Sequence, residues 1–429
     1  MEIGHLTNTL YIEIMKNSPR KLLIASASML AATSLMGQDL NSDNDLQGSY
    51  AAFTRSQIEA AAFDAFDQGF EDDVAGSVLD YFKFGVRVST DFNSNIFNSN
   101  TNEVEDVIIR MSIPISVENE EFARHHWGIH YTPKINAYID NSREDGVDHF
   151  LNGNYTATLE KTVIDVNAGF SKTRGSDRFA SGNIAKNTYT LRGSIYHQLT
   201  GKTRLDLDLG AYADDFKSES LFDRERYNAR LAWQYQVTGK TTLGPYVGYE
   251  FVNVEQQPNH KAYSAGVKAT YQALQKTTFS GFAGVENRRY EGGGVENTTT
   301  PTFEFAASYQ LTGKTNIVGT LYNTIRASYS DFGRSYKAFG LSAQANYKMS
   351  HRVHFNAGLN LERDDYFSTI AGATGNPDSD YRRVYVGGSY RTPIGLTVGS
   401  RLSYANNDAG DNTRDYDTWV FSLDAGYDF

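Results

Sequence analysis

From residue 80 onward, apolar and polar residues alternate one for one in runs of about twelve, the period of a β-strand whose two faces meet different surroundings. The run 203–214 sets Leu205, Leu207, Leu209 and Ala211 against Arg204, Asp206, Asp208 and Tyr212. The run 225–237 sets Tyr227, Ala229, Leu231, Trp233 and Tyr235 against Asn228, Arg230, Gln234 and Gln236. In 352–366 it is Val353, Phe355, Ala357, Leu359 and Leu361 against His354, Asn356, Asn360 and Glu362. The pattern predicts eighteen strands, with sixteen as the fallback. They begin with 80–91, 104–116, 124–139 and 146–158 and end with 380–392, 395–407 and 416–429.

Between alternate strands one short turn keeps returning. Leu199-Thr-Gly-Lys-Thr203, Val237-Thr-Gly-Lys-Thr241 and Leu311-Thr-Gly-Lys-Thr315 are its clearest copies. Looser ones are 158–162, 273–277 and Lys348-Met-Ser-His-Arg352. A Lys beside a Gly first suggests a phosphate site. Recurrence at every second strand end reads instead as hairpin turn chemistry, with the Gly supplying a tight turn. The other connections, among them 92–103, 174–186, 215–224 and 367–379, are longer and rich in Asn, Asp, Ser and Gly.

Strand length decides between a soluble sandwich and a membrane barrel. Strands of about twelve residues match the 9–11 tilted residues that cross a bilayer, whereas soluble strands run to about five or six. Tyr196, Tyr235, Tyr271, Tyr309, Tyr347 and Tyr390 sit beside the turns, as an aromatic girdle would. Mean hydropathy of -0.48 and the lack of any apolar run of 18 residues exclude helical spans, but not a barrel that shows lipid only alternate residues. A soluble propeller would need four short strands in each repeat rather than two long ones.

The net charge of -11 is concentrated before the strands. Residues 38–79 hold nine acids against Arg55 and include one helical stretch near 56–70; residues 80–429 are nearly balanced. Lys16, Arg20 and Lys21 precede the apolar run 22–36, which reads as a signal peptide over 1–37 with Met15 as the true start. The expected organisation is signal peptide 1–37, periplasmic lead-in 38–79 and barrel 80–429. Both chain ends are then periplasmic. No cysteine is present, and no patch of the chain suggests nucleic acid.

The last strand, Trp419-Val-Phe-Ser-Leu-Asp-Ala-Gly-Tyr-Asp-Phe429, resembles the closing signal by which outer-membrane proteins reach the barrel-assembly machinery, with Tyr427 and Phe429 carrying it. The opening Val88-Ser-Thr-Asp-Phe-Asn-Ser-Asn-Ile-Phe97 resembles the Asp-x-Asn-x-Phe start of β-barrel porins encoded near exopolysaccharide genes. That resemblance covers roughly 80–429 and implies an outer-membrane barrel whose partners are lipid and the assembly machinery. The strand number also resembles the alginate exporter, without its selectivity residues.

No phosphate loop, zinc motif or nucleophile–base pair on one strand face accompanies it, so neither enzyme activity nor a cofactor or metal is expected. His125 and His126 are adjacent on one strand and point to opposite faces. By parity Lys83, Arg87, Arg110, Arg192, Arg204, Asp206, Asp208, Arg230, Glu362, Arg383 and Arg401 point inward and are the candidate pore-lining residues. The same parity turns Tyr212, Tyr246 and Tyr385 inward. The expected function is a channel for small hydrophilic solutes. The alternative is a conduit for exopolysaccharide with periplasmic export proteins as partners.

Overall fold

The computed structural model describes residues 82–119, 124–180, 182–274, 276–292, 297–370, 378–410 and 414–429. The expected signal peptide and the acidic lead-in with its helix lie outside the described residues. Nineteen strand segments follow in chain order. The first seven are β1 (Phe82–Asn93), β2 (Asp106–Ser112), β3 (Ile115–Glu118), β4 (His125–Tyr138), β5 (Gly146–Thr158), β6 (Thr162–Ser176) and β7 (Asn183–Gln198). Next come β8 (Thr203–Phe216), β9 (Arg224–Thr238), β10 (Thr241–Val254), β11 (His260–Leu274), β12 (Thr277–Tyr290) and β13 (Thr298–Thr312). The last are β14 (Thr315–Ala327), β15 (Arg334–Lys348), β16 (Val353–Ser368), β17 (Asp378–Arg391), β18 (Thr397–Ala409) and β19 (Tyr416–Asp428).

Apart from β2 and β3, each strand pairs antiparallel with its chain neighbours, and β1 pairs with β19 from Gly85↔Asp428 to Asn93↔Val420, so the sheet closes on itself. Segments β2 and β3 both lie between β1 and β4 and form one stave broken at Ile113–Pro114. Proline has no N–H to give to the ladder, which interrupts the strand expected over 104–116. The Pro114 carbonyl still accepts from Gly85 N at 3.0 Å, and Ile113 N donates to Pro133 O at 3.1 Å. The molecule is therefore a closed up-and-down barrel of eighteen staves.

One face of every stave is apolar and outward. Leu209, Leu231, Phe305 and Phe421 are each at least 40% exposed, while Asp206, Glu304 and Glu362 are at most 3% exposed on the other side. Exposed apolar residues outside and polar ones inside invert a soluble barrel and suit an outer membrane, where closure leaves no unpaired strand edge in lipid. Tyr235, Tyr271, Tyr309, Tyr347 and Tyr390 are exposed beside the turns, as a girdle requires. Tyr196 is the exception. Leu191 faces out and fixes the parity of β7, so Tyr196 turns inward, where the Arg204 guanidinium lies 5.3 Å from its ring centre.

The repeated turns are held by hydroxyls. Thr200 Oγ1 accepts from Lys202 N at 3.3 Å and Thr203 N at 3.1 Å. Thr238 and Thr312 accept from Lys240 N and Lys314 N at 3.1 and 3.0 Å. Ser350 does the same for Arg352 N and Val353 N, which makes 348–352 a true copy. The glycine has another role than the one its position suggests. Among the described glycines only 182, 292, 333 and 395 have positive φ, so Gly201, Gly239 and Gly313 do not supply a left-handed turn.

Candidate channel lumen

Alternation fixes which side chains enter the barrel. At the turn end, Lys83 bonds Glu118 at 2.5 Å and Arg87 reaches Asp428 at 3.5 Å, both partly open to solvent. Arg110 is buried in an ion pair with Asp91. Arg192 and Arg383 stand on the inner face, next to the outward Leu191 and Val384. Arg204 holds Asp206 at 2.5 Å, and Lys268 bridges Asp206 and Asp208 at 3.1 and 3.4 Å. Arg230 packs its guanidinium 3.7 Å from the centre of the Phe282 ring, and Arg401 lies 5.6 Å from that of Tyr385. All eleven candidates share the lumen face but form separate clusters around it. Tyr427 and Phe429 face outward, where Phe429 stacks on Phe84 at 4.9 Å and its N–H bonds the Phe84 carbonyl at 2.8 Å, closing the seam.

The loop end is organised by a segment that alternation does not reach. The connection between β6 and β7 dips into the barrel, and Asp177, Arg178 and Phe179 are each at most 5% exposed. Arg178 donates to Glu362, to Asp364 Oδ2 at 2.7 Å and to Asn407 Oδ1 at 3.2 Å. It also lies 4.3 Å from the centre of the Tyr381 ring. Counting β2 and β3 as one, β7 is the sixth stave and β16 the fifteenth, half of the eighteen-stave circumference away. The segment is a strap across the full width of the lumen.

The strap is held at several points. Tyr329 Oη donates to Asp177 at 2.9 and 3.0 Å, and Asn98 Nδ2 donates to the Asp177 carbonyl at 3.2 Å. Gly182 N donates to Phe97 O at 2.8 Å. Phe179 meets Tyr329 edge-on at 5.7 Å and Tyr336 at the same distance, inside a cluster with Phe216, Leu221 and Tyr366. An apolar cluster in the middle of a polar bore is stable only because loops from both walls bury it.

Below the strap, Glu362 is the hub. It takes Arg178 from the strap, Arg326 at 3.0 Å and the Tyr322 hydroxyl from the wall. Arg288 continues the pattern with Glu250 at 2.7 Å and Glu286 at 2.9 Å. Opposite charges in contact within a poorly solvated wall are stable only as such networks. Gly340 makes one of them possible. A Cβ there would fall 2.2 Å from Tyr322 Cζ, so only glycine lets that ring lie flat against the wall and reach Glu362.

No family model and no curated protein matches the sequence. Among solved structures it is similar to the Pseudomonas aeruginosa outer-membrane protein OpdK, described with vanillate, at 10% identity and a TM-score of 0.46. That match covers 82% of this chain and 100% of the other. It is also similar to P. aeruginosa OccK2 (OpdF), described in complex with glucuronate, at 12% identity, TM-score 0.44, covering 82% of this chain and 99% of the other. Scores at this level decide nothing about a solute.

The strap residues Asp177, Arg178 and Phe179 are absent from the parity-based set because they sit in a predicted loop. Their one sequence signal is a charged and aromatic triplet within a stretch otherwise rich in Ser, Gly and Asn. Arg288, Arg326, Glu250 and Glu304 lie on predicted inward positions and parity alone could have found them.

Proposed function

We propose that this protein is an outer-membrane channel for small hydrophilic solutes, with the turn end and both chain ends in the periplasm. Barrels of 16–18 strands are wide enough to leave an aqueous channel. The observation that carries the reading is the strap. It narrows the bore at the loop end, and pairs of opposite charge line the wall beneath it. Fixed charges along a water-filled constriction select by charge and size. Lys83 and Arg87 stand at the periplasmic entrance in this reading, and Arg178, Glu362 and Arg326 at the constriction.

The export reading finds no such support. A polymer needs a continuous bore, and a segment anchored to both walls interrupts it. The seam at Phe84 and Phe429 supports the reading of Tyr427 and Phe429 as a signal for the barrel-assembly machinery, since the last strand is the one that closes the sheet.

Planar-bilayer recording of the refolded protein tests the proposal. Discrete conductance steps that fall as the solute ion grows are the expected result. A protein that shifts in gel mobility on heating, as a folded barrel does, yet never conducts would overturn the channel and leave the fold standing.

A further inference from the structure

At the turn end, the six turns from β5–β6 to β15–β16 each present one cation: Lys161, Lys202, Lys240, Lys276, Lys314 and Arg352. All six are exposed, and none has an ion pair among the described residues. Lys314 Nζ donates to the Met349 carbonyl of the next turn at 3.1 Å, so its side chain lies along the rim. Neighbouring turns are two staves apart, and the charges recur at roughly 10 Å intervals. Strands β5 to β16 make up twelve of the eighteen staves, so the cations form a crown over most of this mouth. Hairpin chemistry accounts for the threonines of the turn and leaves the cations over. In closing its own turn the lysine lends only backbone atoms.

A second feature of the same turns points to what the cations meet. Two or three residues before each cation stands an apolar side chain: Leu159, Leu199, Val237, Leu274, Leu311 and Met349, every one at least 39% exposed. Two or three residues before four of these stand the girdle rings Tyr235, Tyr271, Tyr309 and Tyr347. Ring, apolar side chain and cation thus follow one another toward the turn in hairpin after hairpin. Aromatic rings of a girdle sit at the membrane–water interface, and a cation just beyond them reaches the level of the lipid phosphates. An acidic soluble partner would meet the cations and leave six apolar side chains in water. A lipid interface takes both, covering the apolar groups and presenting negative charge to the cations.

We propose that the crown binds the phosphates of anionic phospholipid headgroups in the leaflet at the turn end. The proposal rests on the lipid-facing barrel and stands whichever solute the barrel passes. Attraction between exposed charges is screened within about 10 Å at 0.1 M salt, so the preference for anionic lipid is strong in dilute buffer and fades in concentrated salt.

Three tryptophans make the test local. Trp127 and Trp233 are exposed on the outer face near the turn end, and Trp419 near the loop end. The full-length protein, refolded in a neutral detergent and shown to be folded by its mobility shift on heating, is titrated with phosphatidylglycerol or phosphatidylcholine. Both lipids carry brominated acyl chains, which quench a neighbouring indole. In a Trp419→Phe variant at 20 mM salt, half-quenching should need at least threefold less phosphatidylglycerol than phosphatidylcholine. The ratio should fall to near one in 500 mM salt, and again when the six cations are changed to Gln. A Trp127→Phe/Trp233→Phe variant, which reports on the loop end, should show no such preference. Equal quenching by the two lipids in the first variant would overturn the proposal, as would a preference that survives loss of the six cations or is as large at Trp419. Lysine acetylation gives a second measurement on the unaltered chain. Lys161, Lys202, Lys240, Lys276 and Lys314 should react at least threefold more slowly with phosphatidylglycerol present and at an unchanged rate with phosphatidylcholine. The same slowing by an equal concentration of inorganic phosphate would assign the crown to free anions and overturn the lipid site.

Discussion

The two ends of this barrel are built by opposite means. At the turn end the repeated contact is local: Thr200 binds the N–H groups two and three residues on, and Ser350 repeats the geometry 150 residues later. At the loop end the decisive contacts are remote. Arg178 reaches Glu362 and Asp364 across separations of 184 and 186 residues, and Tyr329 reaches Asp177 across 152. A local device can be copied with each hairpin, and its loss is confined to one hairpin. A remote device exists once, and its loss is felt across the bore. Substitutions at the loop end should therefore change conductance, and those at the turn end only stability.

The strap gives the largest expected effect. Arg178→Ala removes the anchor on the far wall, and at least a twofold rise in single-channel conductance is expected, with larger solutes entering in liposome swelling. Breaking a buried ion pair costs about 3–5 kcal/mol, and unfolding in denaturant should show a loss up to that size. Unchanged conductance in a correctly folded variant would mean that the strap does not limit passage.

Gly340→Ala probes the same hub from the wall. Its new methyl would collide with the Tyr322 ring and pull the hydroxyl from Glu362, while Arg178 and Arg326 remain. A hydrogen bond to a charged group contributes about 1.5–3 kcal/mol, so a stability loss in that range and a smaller conductance change than for Arg178→Ala are expected. If Gly340→Ala opens the channel as far as Arg178→Ala does, Tyr322 rather than Arg178 is the principal anchor.

The contrast also explains which parts of the molecule are legible in the sequence. Strand positions, closure and the inward set from Lys83 to Arg401 follow from a period of two, because each stave's lipid face repeats one demand. Tyr196 escapes the girdle because a count of distance from the turn ignores parity, and Leu191 shows that parity decides. Pro114 falls at a break, yet Pro133, Pro245 and Pro301 lie within β4, β10 and β13, so a missing N–H alone does not name the interruption. The strap was not readable. Asp177, Arg178 and Phe179 look like an ordinary polar loop until the far wall supplies Glu362, Asp364 and Tyr329, and no local pattern names partners that far away.

Within the turn end, Thr200→Val keeps shape and removes the acceptor for two N–H groups. A cost of about 1 kcal/mol and no change in conductance are expected, read from denaturant midpoints and bilayer recordings. A change in conductance here would show that the two ends are coupled, against the division drawn above.

The glycines of the turns give the smallest and sharpest test. Gly395, in the β17–β18 turn that lacks the Thr-Gly-Lys-Thr sequence, has φ of +87°, and an added Cβ would come 3.2 Å from the Tyr427 ring. Gly239 and Gly313 have no atom within 4 Å of that point and no positive φ. Gly395→Ala should therefore cost about 1–2 kcal/mol, the penalty of the left-handed region for a residue with a side chain. Gly239→Ala should be neutral or stabilising by about 0.4–1 kcal/mol, because alanine restricts the unfolded chain at a site where the folded one has room. Opposite signs in the two denaturant midpoints would show that the hydroxyl of the recurring turn, rather than its glycine, holds the hairpin. A loss at Gly239 equal to that at Gly395 would return the glycine to the centre of the motif.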